Sequence, residues 1–168
     1  MINGLEKLLN HIERLENVSL ERPVGKAIGY VQAAAKENCP TGDGELRSSI
    51  FTKVEIQNCG ESAQGICYTN KSYGPYVEFG TGPKGQEDHS GISPHVDVAY
   101  SQSPWWIHES QIDRSTAEKY HWFYIDTKDG RFYQCSGQPA HPFMYPALKN
   151  HEDDVVNIIQ DDIRRQLR

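Results

Sequence analysis

The sequence predicts an α+β fold: an antiparallel sheet with N-terminal and C-terminal helices packed on one face, and a long loop and an aromatic hairpin inserted. Three observations predict it. Both ends of the chain carry apolar residues at helical spacing, the segments between them alternate β-branched and polar residues, and a Gly, Pro and Ser-rich stretch separates two hairpin patterns. At 168 residues the chain is read as a single domain, 1–168, able to bury roughly two-thirds of its unfolded surface.

The elements follow in order. Ile2, Leu5, Leu9, Ile12 and Leu15 recur at three- and four-residue steps, which predicts a first helix from Ile2 to Val18. Pro23 suits the first turn of a second helix with Val24, Ile28, Val31 and Ala35 on its apolar face, and "ENCPTGDG" ends it. Ile50 to Ile56 and Gly65 to Thr69 read as paired strands. "YGPYVEF" reads as a further strand, with Pro75, which cannot donate to a ladder, at its start or on a sheet edge. Gly82 to Pro104 lacks periodicity and predicts a long loop. Tyr120 to Asp126 and Arg131 to Cys135 flank Asp129-Gly130 and predict a hairpin. A last helix begins near Pro146, with an apolar stripe of Leu148, Val155, Val156, Ile159, Ile163 and Leu167. Its acids stand early and its arginines late, as the helix dipole favours.

Composition narrows the function classes. Only 37% of residues are apolar, while nine tyrosines and three tryptophans supply amphipathic surface suited to partners. A net charge of −6 without a basic run gives no grip on a nucleic-acid backbone, so no direct sequence-specific nucleic-acid binding is expected. The first residues lack the cationic start and apolar core of an export signal, and no window approaches a membrane span. Cys39, Cys59, Cys67 and Cys135 form no C-x-x-C pair and read as free thiols of a reducing cytosol.

Chemistry-bearing constellations are sparse. His89, His95 with Asp97, His108, His121 and His141 invite a metal reading, but no pair has the spacing that places two ligands on one helical turn. Neither a G-x-S-x-G elbow nor a G-K-[ST] phosphate loop is present. No catalytic residue, metal site or cofactor is therefore predicted, and the chain is read as no enzyme. In "YVEFGTG", a strand would put Tyr76, Glu78 and Gly80 on one face and Val77, Phe79 and Thr81 on the other. Glu78 is then either a solvated face residue or a fixed acceptor for a backbone N–H or a neighbouring subunit's arginine. Gly80 and Gly82 permit positive φ or close backbone approach, an architectural pairing. Trp105, Trp106, Trp122 and Phe123 read as core ahead of interface.

"LRSSI" (Leu46 to Ile50), "YGPYVEFGTGP" (Tyr73 to Pro83) and "GQPAHPFMYPAL" (Gly137 to Leu148) resemble the small head-tail joining proteins of long-tailed bacteriophages and prophages, also described as neck, connector or tail-completion components. The resemblance runs from about Cys39 to the end. It implies a non-catalytic virion protein: a ring of six or twelve copies at the head-tail junction, assembled in the host cytoplasm. The implied partners are the chain itself, head connector or adaptor proteins, and tail terminator or tail tube proteins, with no membrane and no cofactor. Tyr76, Glu78, Phe79, Gly80, Thr81, Gly82, Phe143 and Pro146 are the interface or architectural candidates, and an interface role for Glu78 implies that Glu78→Ala leaves the monomer folded. Two rival readings stand beside this one: a metal-assisted hydrolase using the loop histidines, and a prophage-encoded host-binding module.

Overall fold

A computed structural model describes residues 4–42, 44–119 and 121–168, with the side chains of His11 and Cys59 outside the description. Expectations for Ile2, for Tyr120 and for the Cys59 thiol therefore lie outside the described residues. The fold is α+β, with helices and antiparallel sheets, and its contacts divide into two compact units: residues 1–71 with 143–168, and residues 72–142.

The first unit is organised around α2, Glu21–Asn38, which begins two residues before Pro23. Pro23, Ala27, Val31, Ala34 and Ala35 are its buried positions. Small side chains dominate that face, so neighbours approach closely. The hairpin β1 (Ile50–Gln57) and β2 (Ser62–Thr69) pairs Ile50 with Thr69 and Gln57 with Ser62, and it packs on α2. Gly65 of β2 shows how close: a Cβ there would lie 3.0 Å from Ile28 and 3.1 Å from Val24. "LRSSI" spans the short helix α3 (Glu45–Ser48) and the start of β1. Leu46 and Ile50 are buried, and the Ser49 hydroxyl bonds the Leu46 carbonyl at 2.7 Å and lies 2.6 Å from the Thr69 hydroxyl. Gln32 of α2 donates to the Ile50 carbonyl at 2.6 Å.

The carboxy-terminal helix predicted as one piece is two: α7 (Tyr145–Lys149) and α8 (Glu152–Gln166), broken at Asn150 and His151. Both pack on α2 rather than on the sheet. Glu152, Asp153 and Asp154 occupy the first turn of α8, and Arg164 and Arg165 the last. Asp162 of α8, 3% exposed, takes an ion pair from Lys26 and faces Arg22 at 3.6 Å, both on α2. The predicted first helix is α1, Leu5–Glu16, but every one of its described side chains is exposed, so it packs on no face of the sheet.

The second unit corrects the expectation of one continuous sheet. "YGPYVEF" is not a strand: Gly74–Phe79 is a helix, α4, with Pro75 in its first turn and the Tyr76 and Val77 amides bonded to the Tyr73 carbonyl. Tyr76 is 59% exposed and Glu78 only 6%, the opposite of the shared face a strand requires. Gly82–Glu87 forms another short helix, α5, so the long irregular stretch starts later than predicted. β3 (Trp105–His108), β4 (Tyr124–Thr127) and β5 (Gly130–Cys135) form a separate antiparallel sheet in the order β3-β5-β4. The predicted hairpin is β4 and β5, and the helix α6, Arg114–Lys119, precedes it. Tyr133, Cys135 and Ala117 are buried, whereas Trp106 and Phe123 are 43% and 63% exposed and touch each other at 6.0 Å between ring centroids. The core reading of those two aromatics, and of Trp105 at 37% exposed, does not hold, because this small sheet has too little covering structure to bury both its faces.

Candidate assembly surface

The two most specific motifs meet in the second unit. Thr81 and Gln138 form a β-bridge, with the Thr81 amide donating to the Gln138 carbonyl at 2.9 Å and the Gln138 amide to the Thr81 carbonyl at 3.1 Å. The Gln138 side chain donates to the Tyr76 carbonyl at 2.8 Å, and the His141 amide donates to the Val77 carbonyl at 2.8 Å. Those bonds satisfy carbonyls that the end of α4 leaves without helical partners. Tyr100 adds another, donating its hydroxyl to the Phe79 carbonyl at 2.7 Å, and burial raises its pKa.

The glycines of the motif are explained by this junction. At Gly80, φ is 75° and a Cβ would lie 2.7 Å from the Ala140 nitrogen. At Gly137, φ is 79° and a Cβ would overlap the Thr81 carbonyl. Two chain segments approach too closely for any side chain between them. Gly82 leaves room for Trp105, whose ring would otherwise sit 2.8 Å from its Cβ.

On this frame lies an open groove of about 550 Å³, lined by Tyr73, Tyr76, Val77, Thr81, Gly82, Ser101, Trp105 and Gln138. Of the predicted candidates, the structure gathers Tyr76, Thr81 and Gly82 at the groove. It buries Glu78, which removes the solvated-face reading and leaves that of a fixed acceptor, since a buried carboxylate needs hydrogen-bond donors. Phe79 and Gly80 serve the junction. Phe143 and Pro146 fall in the other unit, Phe143 as a buried anchor at 1% exposure and Pro146 in the first turn of α7. The sequence reading missed Tyr73, Val77, Ser101 and Gln138 as groove residues. The motif "GQPAHP" was the available signal for Gln138, because its glycine implied a close backbone partner.

A second cleft in this unit is lined by Arg114, Glu118, His121, Trp122, Tyr124 and Arg131, among others. Its cations are internally balanced: Arg131 bonds Asp126 at 2.7 Å and lies 3.9 Å from the Tyr124 ring centroid, and Arg114 bonds Glu118 at 2.8 Å. Two of the loop histidines are likewise engaged in structure. His89 Nδ1 lies 2.8 Å from the Gln86 carbonyl, and His108 Nε2 lies 2.9 Å from that of Asp129. Among the described residues no three His, Cys, Asp or Glu side chains converge as a metal site, and no helix is long and apolar enough to cross a membrane.

Residues 2–80 match the model of the HK97-gp10-like family, described as "Bacteriophage HK97-gp10, putative tail-component". The match is consistent with the resemblance to phage head-tail joining proteins, and it supports a structural phage role. It takes in "LRSSI" and "YVEFG" and stops before "GQPAHPFMYPAL". No curated protein and no solved structure matches the chain.

Proposed function

With residues 2–80 matching a phage tail-component family, we propose that the chain is a structural subunit of a tailed-phage neck, joining the head to the tail by binding and without catalysis. The whole chain, 1–168, acts as one head-tail joining protein. Copies assemble in the host cytoplasm into a ring of six or twelve, held between head connector or adaptor proteins and tail terminator or tail tube proteins.

The observation that carries this reading is the groove bounded by exposed Tyr76 and Trp105, mounted on the Thr81–Gln138 junction. Aromatic side chains on a fixed frame bury large area on docking at little entropic cost, which is why they anchor interfaces. A ring needs two different complementary patches on each subunit, and the groove supplies one.

The test compares the wild-type chain with Tyr76→Ala, by light scattering with candidate connector and tail proteins and by the yield of joined, infectious particles. Tyr76 is largely exposed, so the variant folds and loses assembly. Wild-type mass and particle yield from Tyr76→Ala would remove the groove from the assembly, and a wild-type chain that binds no virion protein would remove the neck.

A further inference from the structure

Among the described residues, α1 carries an apolar stripe that stays exposed. Leu5, Leu8, Ile12 and Leu15 follow one another at steps of three, four and three, with Leu9 beside them, and all five are between 43% and 57% exposed. Leu148 and Val156 elsewhere in the first unit are as open, at 48% and 49%, but only α1 sets five such side chains in one run. An isolated twelve-residue helix is marginal in water, because nucleation costs more than so few hydrogen bonds return. Among the described side chains, Arg14 ties it to the rest of the chain, donating to the Arg168 carbonyl at 2.5 Å. One exposed bond does not hold twelve residues helical. A covering surface is implied.

We propose that α1 pairs with α1 of a second copy of this chain. The three-four spacing is that of a two-stranded seam, in which each apolar knob enters a hole formed by the same spacing on the facing helix, and a second copy carries that spacing. The five side chains leave on the order of 450 Å² open per copy, so paired stripes bury about 900 Å², just under the ~1,000 Å² floor of stable specific interfaces and of the size of a weak self-contact. A lipid surface fits worse, because the polar face mixes Glu6, Glu13 and Glu16 with Lys7 and Arg14 instead of presenting a cationic row. So small a contact is concentration-dependent in free solution, and because it joins one patch to itself it is separate from the head-to-tail contacts that close a ring. This contact lies in the other unit from the groove and stands whether or not the groove docks a virion protein.

The experiment is hydrogen exchange across residues 5–16 in the full chain over a dilution series, with light scattering in parallel. Protection of 5–16 rises with concentration in the wild type while the average mass moves toward twofold. In Leu8→Glu with Ile12→Glu that rise is lost, and exchange elsewhere is unchanged. A conservative Leu8→Met variant keeps it, which separates the seam from nonspecific disturbance of the helix. Tyr76→Ala also keeps it, so failure of the groove and failure of the α1 pair are read separately. Protection independent of dilution, no protection at any concentration, or protection gained only with a different virion protein would each overturn the pairing.

Discussion

Thr81 and Gln138, 57 residues apart, exchange both backbone hydrogen bonds, and the Gln138 side chain continues the contact to the Tyr76 carbonyl. That single bridge sets the end of α4, the start of α5 and one wall of the groove. Glycine is required on both sides of it for one reason, which is the closeness of the two backbones.

Gly137→Ala therefore destabilises the second unit. It adds a Cβ on the Thr81 carbonyl and holds a non-glycine residue at φ 79°. The expected loss is about 3 kcal/mol, combining backbone strain with the clash. Chemical denaturation followed by Trp fluorescence checks it, and an unchanged midpoint would contradict the close approach.

Glu78→Ala lowers stability instead of acting on assembly alone. The side chain is buried, and removing a buried acceptor leaves its donors unsatisfied at about 1–3 kcal/mol. This departs from the expectation drawn from an interface role for Glu78, in which the variant monomer stays folded. A thermal melt equal to wild type would restore the interface role.

Phe143→Ala, at a position 1% exposed, costs about 3–5 kcal/mol through lost burial and the cavity left behind. Soluble yield and urea midpoint both fall. Retention of the wild-type midpoint would show that the site collapses around the smaller residue.

Asp162 makes stability depend on acid. The hydrogen bond from Lys26 holds its carboxyl below the ordinary carboxylate range, aided by the Arg22 charge and opposed by desolvation. Because the folded pKa lies below the unfolded one, the stabilisation is complete above the usual value of about 4 and is lost as pH falls through the folded value. Asp162→Asn is less stable than wild type near neutrality, and the difference shrinks on acidification below pH ~4. Denaturant titrations at both ends of that window decide it, and parallel acid profiles for the two proteins would exclude the linkage.

The α+β class, the β1–β2 and β4–β5 hairpins and the helix at each end were legible in the sequence, because periodicity and turn residues are local signals. Helical periodicity identified α1 but could not say what covers it, since a stripe of leucines looks the same facing a core or a partner. "YGPYVEF" was misread because β-branched and aromatic residues suggest a strand in isolation. Its carbonyls are instead satisfied by Gln138, His141 and Tyr100, two of them about sixty residues away and the third about twenty. Long-range pairing overrode local propensity there. The sequence by itself determined which segments can be helix or strand, and where glycine permits close approach. Only tertiary structure decided that Glu78 is buried while Tyr76 is open, that the aromatics divide between core and groove, and that α1 is left bare. Those outcomes depend on which distant segment arrives to cover each face, and no local pattern encodes that.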